Sequence, residues 1–110
     1  MSFRVHRNES TAIVEVHGEL VVGNRRELRQ KVLETLEAGA RKVVIDFGAA
    51  RYIDSSGAAV LVHVAKKIGE HGGVLRIANL SEDLRHLFEL TRLDSVFQIA
   101  DSREAALLDL

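Results

Sequence analysis

The sequence predicts an α/β fold, with a single mixed β-sheet of four to five strands and about four helices packed on it. Three observations predict this class. Period-two alternation on both sides of a short polar turn opens the chain. Strand-like and helix-like segments then alternate, which is typical of parallel strands joined by right-handed crossovers. The length of 110 residues fits one globular domain, residues 1–110.

The first two elements are predicted to be strands of a hairpin. Apolar Phe3 and Val5 alternate with Arg4 and His6, and beyond the turn Ala12, Val14 and Val16 alternate with Ile13, Glu15 and His17. Residues 8–10 between them are polar and suit a tight connection. The chain is therefore expected to open with an antiparallel pair.

A helix and a buried strand are predicted next. From Asn24 the apolar residues recur every three to four positions, which indicates an amphipathic helix that stops at Gly39. Asn24 and Glu27 are a plausible capping pair. Residues 43–47 form a short, almost continuously apolar run, which favours a central strand. Asp46 within this run is expected near a strand end, facing solvent.

The second half continues the alternation. Residues 55–70 are predicted to form a helix that begins at a cap and ends before two glycines. A strand is predicted at residues 74–78, and a capped helix follows from Ser81 onward. An edge strand is predicted at residues 97–100, and a last capped helix runs from Ser102 to Leu110.

The composition disfavours several classes of function. With 15 Lys+Arg against 16 Asp+Glu, the net charge of −1 provides no general attraction to nucleic acid or to an anionic membrane. The longest uncharged stretch, residues 55–65, is shorter than the about 20 residues of a transmembrane helix. Cysteine is absent, which removes disulfides and thiolate chemistry and favours the cytoplasm. No nucleic-acid binding and no membrane insertion are expected.

The sequence also lacks the motifs of common enzymes. It contains no G-x-S-x-G, G-x-G-x-x-G, P-loop or H-E-x-x-H pattern, and its five histidines show no metal-ligand spacing. On one helix Ser55 and His63 would be about 12 Å apart along the axis, too far for a nucleophile and its base. We therefore expect no enzymatic activity, no metal and no cofactor.

One segment, Asp54-Ser55-Ser56-Gly57, lies between a predicted strand and a predicted helix, where open α/β sheets place functional groups. One interpretation is structural: Asp54 or Ser55 caps the helix, and Gly57 permits close packing. The other is regulatory, because the small residues after the hydroxyls would let a kinase approach. A phosphate at a helix N-terminus is stabilised by about 0.3–1 kcal/mol, yet its charge of about −1.5 to −2 would oppose docking of a partner.

Three motifs resemble those of the STAS domain family (sulfate transporter and anti-sigma factor antagonist). Residues 52–61 resemble the family signature. Gly18-Glu19-Leu20 is similar to the G-E-L-D that follows the second strand, and residues 87–97 are similar to the third motif, L-F-E-L-T-G-L-D-x-x-F. The motifs occur in the family's order and cover nearly the whole chain.

The resemblance implies a function and a site. Bacterial single-domain members are anti-sigma factor antagonists: the unphosphorylated form binds an anti-sigma factor that is also a serine kinase, which frees the sigma factor. A PP2C-like serine phosphatase reverses the phosphorylation. The family's acceptor serine matches Ser55. The implied partner-binding segment comprises Asp54, Ser55, Ser56, Gly57, Ala58, Glu19 and Val21.

Two positions depart from the family pattern. Val21, followed by Val22, stands where the family usually has aspartate, and Arg92 stands where the third motif usually has glycine. A non-glycine residue in a left-handed helix stop costs about 1 kcal/mol, unless the helix ends in a different way at this position. The first departure supports a second hypothesis, a constitutive STAS scaffold subunit of a transport or signalling complex without a phosphorylation switch. A third hypothesis, nucleotide binding by the domain, lacks a glycine-rich phosphate loop.

Overall fold

Strands and helices alternate over residues 2–108, the part of the chain that the computed structural model describes. In chain order the elements are β1 (Phe3–Asn8), β2 (Thr11–Leu20), α1 (Arg25–Glu37), β3 (Lys42–Ile53), α2 (Ser55–Glu70), β4 (Val74–Ala78), α3 (Glu82–Leu90), a 3₁₀ turn (Leu93–Ser95), β5 (Gln98–Ala100) and α4 (Arg103–Leu107). The strands form one sheet in the order β1-β2-β3-β4-β5. β1 pairs antiparallel with β2, and the other pairs are parallel. The predicted α/β class with one mixed sheet is confirmed.

The three longer helices lie on one face of the sheet. Each parallel strand neighbours the one before it, so successive right-handed crossovers place their helices on the same side. The core between sheet and helices includes Leu28 of α1, Leu61 of α2 and Phe88 of α3, all fully buried. On the other face, short α4 covers a small cluster that includes Val44 and Ala106. The helix that begins at Ser55 is thus firmly packed against the sheet.

Most predicted elements are found, with shifted ends. The central strand, β3, continues through Ile53, well past the predicted apolar run. Ser81 and Ser102 cap α3 and α4 by accepting hydrogen bonds from backbone N–H groups three residues later. The last helix ends at Leu107, before its predicted end at Leu110, which lies outside the described residues.

The predicted capping pair at the start of α1 is wrong. The Asn24 side chain makes no cap hydrogen bond with the helix. Its Oδ1 instead accepts from the Val21 N–H at 2.9 Å, and its Nδ2 donates to the Glu19 carbonyl oxygen at 2.8 Å. Asn24 therefore stabilises the loop between β2 and α1. It does not form a capping pair with Glu27.

Asp46 is buried, so the prediction that it faces solvent is wrong. The residue is 6% exposed. Its Oδ1 accepts from the Gly48 N–H at 2.8 Å and from Asn79 Nδ2 at 3.0 Å, and its Oδ2 lies 3.0 Å from an Arg103 nitrogen. Burial of this carboxylate is tolerated because α4 supplies a cation and its neighbours supply hydrogen bonds.

Glu15 on β2 is the second carboxylate that Arg103 contacts. His17 Nε2 lies 2.9 Å and His6 Nε2 3.2 Å from its carboxylate oxygens. The hydrogen bond from Arg103, followed by that from His17, lowers the pKa of Glu15 from 4.5 to about 2. Because the pKa is lower in the folded state, ionised Glu15 stabilises the fold above pH 4.5, and this contribution is lost as the pH falls towards 2.

We expect Glu15→Gln to reduce the free energy of unfolding at neutral pH by about 1–2 kcal/mol, a value that allows for screening of a partly exposed carboxylate. The difference between wild type and variant should shrink as the pH falls from 4.5 towards 2. Urea unfolding at neutral and acidic pH measures it, with exposed Glu37→Gln as the control. A difference that stays constant with pH would contradict the assignment.

Candidate functional site

The carboxyl ends of β2 and β3 meet at the start of α2. The two strands pair in parallel there, with Glu19 opposite Tyr52 and Leu20 opposite Ile53. α2 begins two positions later, at Ser55. One edge of the sheet therefore brings together the residues singled out from the sequence: Glu19, Val21, Asp54, Ser55, Ser56, Gly57 and Ala58.

Asp54 caps α2 and also holds the neighbouring loop. Its Oδ1 accepts from the Gly57 N–H at 2.7 Å, and its Oδ2 accepts from the Val22 N–H at 3.1 Å. Its own N–H donates to the Leu20 carbonyl oxygen at 3.2 Å. Of the two caps considered from the sequence, Asp54 or Ser55, the structure has Asp54. With both oxygens engaged, this carboxylate fastens the end of β2 to the start of α2.

Gly57 lies directly against the backbone of β2. A Cβ atom at this position would be 2.2 Å from the Leu20 carbonyl oxygen and 2.9 Å from Leu20 Cγ. Contacts this short do not occur between real Cβ atoms and backbone, so only glycine fits without a shift of strand or helix. The close packing that the sequence suggested at Gly57 is present, and its partner is the last residue of β2.

The two adjacent hydroxyl residues differ in exposure. Ser55, the first residue of α2, is exposed, whereas Ser56 is partly buried. The neighbouring Ala58 and Ala59 are small, and Ala59 is exposed. The first N–H groups of a helix have no intrahelical acceptor, so an anion on Ser55 would lie close to hydrogen-bond donors. Ser55 is therefore accessible to another protein, and the start of α2 would tolerate a negative charge on it.

A mostly apolar groove of about 550 Å³ lies beside Ser55, bounded by the end of β3, the first turn of α2 and α3. Its lining includes Tyr52, Ile53, Ser55, Ala58, Leu84 and Leu87, together with the polar Arg51, Asp83 and Thr91. Tyr52 is 55% exposed, and nearby Val22 is 64% exposed. Large exposed apolar side chains around a groove are typical of a protein-binding surface. We call Val22, Tyr52, Ser55 and this groove the Ser55 surface.

Sequence reasoning missed part of this surface. Val21, which the sequence singled out, is partly buried and its N–H is bonded to Asn24, whereas Val22 is exposed. Leu84 and Leu87 lie on the apolar face of α3, which the sequence did not connect with a binding surface, yet both line the groove. Amphipathic spacing identifies the apolar side of a helix but does not show which part a neighbouring element leaves uncovered.

Residues 2–108 contain no group of three or more histidine, aspartate or glutamate side chains placed to hold a metal ion. Over the same residues, no helix has both the length and the apolar character required to cross a lipid bilayer.

Comparison with known proteins places residues 2–106 in one family. A sequence model of the STAS domain matches residues 2–106. The chain is 35% identical to the anti-sigma-B factor antagonist of Bacillus subtilis over 100 residues, 91% of each protein. It is 31% identical to the protein BtrV of Bordetella bronchiseptica over 106 residues, 96% of this chain and 91% of BtrV. Its fold is similar to the crystal structure of an anti-sigma factor antagonist from Mycobacterium paratuberculosis, with a TM-score of 0.84, 24% identity, and coverage of 96% of this chain and 89% of that one.

Proposed function

The chain belongs to the STAS domain family, and from this membership we propose that residues 1–110 act as a single STAS domain and as an anti-sigma factor antagonist in the cytoplasm. In its unphosphorylated form the protein binds an anti-sigma factor that is also a serine kinase, and the sigma factor is released. Phosphorylation of Ser55 ends this binding, and a PP2C-like serine phosphatase restores it. The protein itself supplies a binding surface and a modification site.

The observation that carries the proposal is the exposed Ser55 hydroxyl at the start of α2, beside an apolar groove. A kinase can reach this hydroxyl without unfolding the helix, because the adjacent residues are small. A partner that covers the groove would also cover Ser55. One residue can therefore be both the modification site and part of the contact.

Electrostatics explains how modification would oppose binding without disrupting the fold. A phosphate on Ser55 adds a charge of about −1.5 to −2 next to Asp54. Within the free domain this charge is exposed to water and close to the positive end of the α2 dipole. Within a contact formed with a neutral hydroxyl it would lose its hydration and gain no partner.

The phosphoryl transfer would be supplied by the kinase. Ser55 Oγ attacks the γ-phosphorus of ATP, a new O–P bond forms, the bond to the ADP oxygen breaks, and the hydroxyl proton passes to a base of the kinase. In the reverse process the phosphatase adds water across the Ser55 O–P bond and releases inorganic phosphate. Asp54 remains the helix cap throughout, because both of its oxygens are engaged by backbone N–H groups.

The proposal is tested by incubating the protein with the anti-sigma factor kinase of the same organism and ATP, followed by phosphosite mapping. We expect one phosphate, on Ser55. The Ser56→Ala variant should be phosphorylated like wild type, because Ser56 is the partly buried neighbour. The Ser55→Ala variant should accept no phosphate but still bind the kinase.

Failure of the kinase to bind or to phosphorylate Ser55 would contradict the proposal. The second candidate is then the constitutive STAS scaffold subunit, which the exposed apolar Val22 supports. That candidate predicts copurification with a transport or signalling complex and equal binding by the wild-type and Ser55→Asp proteins.

A further inference from the structure

A second groove, of about 280 Å³, lies between α1 and α2. We call it the arginine groove, and its lining residues are Arg25, Arg26, Arg29, Ala59, Val60 and His63. The three arginines are exposed. The lining includes no acidic residue; Glu27, on the same turn of α1, is not part of it.

Several other basic residues of the described chain have partners, whereas these three have none and lie together in one groove. Arg85 and Arg103 form ion pairs with carboxylates, Lys67 pairs with Glu70, and Arg41 donates to backbone carbonyls. Within residues 2–108, no ion pair or side-chain hydrogen bond involves the arginines of the groove. Their guanidinium groups are therefore available to an incoming anion.

The placement of these arginines weakens α1 locally. Arg25 and Arg26 lie in the first turn, where a positive charge opposes the helix dipole. Arg25 and Arg29 are four residues apart, where like charges repel. The fold does not benefit from this arrangement, in a chain whose net charge is only −1. An external anion would relieve both effects.

The arginine groove lies about one helical turn along α2 from Ser55, and Ser55 is not one of its lining residues. Ser55, Ala59 and His63 are spaced four residues apart and so share one side of the helix. Ala59 is about 6 Å from Ser55 along the helix axis, within the Debye length of about 8 Å at physiological ionic strength. A partner lying over Ala59 would therefore experience the charge state of Ser55.

We propose that the arginine groove binds a carboxylate-rich segment of the protein partner that docks on the Ser55 surface. This inference rests on the proposed function and adds the chemistry of the partner. The acidic segment neutralises the three arginines while Ser55 is unmodified. Once Ser55 carries a phosphate, the same acidic segment is repelled, so the groove makes binding more sensitive to phosphorylation. A protein segment is favoured over a nucleotide because the groove is formed by arginine side chains on a helix, without a glycine-rich phosphate loop.

The test compares two double variants that remove the same charge. Arg25→Gln/Arg29→Gln neutralises the groove, and Arg4→Gln/Arg7→Gln neutralises exposed residues of β1 as the control. Binding of the anti-sigma factor kinase is followed by stopped flow or surface plasmon resonance over a range of salt concentrations. We expect the groove variant to associate about tenfold more slowly, with a shallower salt dependence, while the control matches wild type.

The outcomes separate the two proposals. If the groove variant binds like wild type while Ser55→Asp does not bind, the groove inference is wrong and the proposed function stands. If wild-type protein does not bind the kinase, the proposed function fails and this inference with it. Calorimetric binding of ATP or GTP to the domain alone, lost in the groove variant, would overturn the inference in favour of a nucleotide site. Thermal melting verifies folding, and the groove variant should melt no lower than wild type because it removes unfavourable first-turn charge.

Discussion

Replacing Ser55 with aspartate is expected to weaken binding of the anti-sigma factor kinase by about a hundredfold or more, which corresponds to about 2.7 kcal/mol. A carboxylate placed in a contact that was formed with a neutral hydroxyl is dehydrated without a partner, and such charges cost about 2–5 kcal/mol. Stability should change little, because an acidic residue in the first turn of a helix is favourable by about 0.3–1 kcal/mol. Isothermal titration calorimetry measures the affinity, and thermal melting verifies the fold.

The matched control is Ser55→Asn, which has nearly the same size as aspartate but no charge. We expect it to bind within about tenfold of wild type, since only bulk and hydrogen bonding change. An asparagine variant that loses as much affinity as the aspartate variant would show that shape at Ser55, and not charge, controls the contact.

Replacing Gly57 with alanine is expected to reduce the free energy of unfolding by about 2–4 kcal/mol. The added methyl group would be 2.2 Å from the Leu20 carbonyl oxygen, so α2 or β2 must move. This expected loss of stability is opposite in sign to the usual effect of the substitution. In a helix interior, alanine is normally more favourable than glycine by about 0.5–1 kcal/mol. Urea unfolding followed by circular dichroism measures the change.

Gly69→Ala on the same helix is the control for this effect. A Cβ atom at Gly69 would meet nothing within 4 Å. We therefore expect this variant to be as stable as wild type or more stable, by up to about 1 kcal/mol. Equal changes at Gly57 and Gly69 would mean that the contact with Leu20 does not constrain the site.

Most features that depended on nearby residues could be predicted from the sequence, although the capping pair predicted at Asn24 and Glu27 is an exception. The caps at Ser81 and Ser102 use a donor three residues away, and helix 55–70 was identified by its cap and its terminal glycines. The sequence left two conformations open for Arg92 after α3, a left-handed stop or a different helix end, and the structure has the left-handed one, with φ of 61°. Motif resemblance gave the location of Ser55, and the structure adds its exposure. In each case the controlling contacts lie within a few residues.

The features that depended on distant residues could not be predicted in this way. Asp46 and its partner Arg103 are 57 positions apart, and neither side chain alone indicates that α4 brings them together. The exposure of Val22 in place of Val21 follows from the direction of a loop that Asn24 and Asp54 hold. Such pairings form only when the sheet and helices assemble, so local sequence patterns do not reveal them.

The two hydrogen bonds of the Asp54 carboxylate bear on how quickly partner binding would respond to phosphorylation of Ser55. Because the two oxygens of Asp54 connect the loop after β2 to the start of α2, we expect phosphorylation to change the charge of this surface and not its shape. Partner binding would then follow the phosphorylation state of Ser55 directly. Binding would stay blocked for as long as the phosphate ester persists. The abundance of the phosphatase would set the reset time of the response.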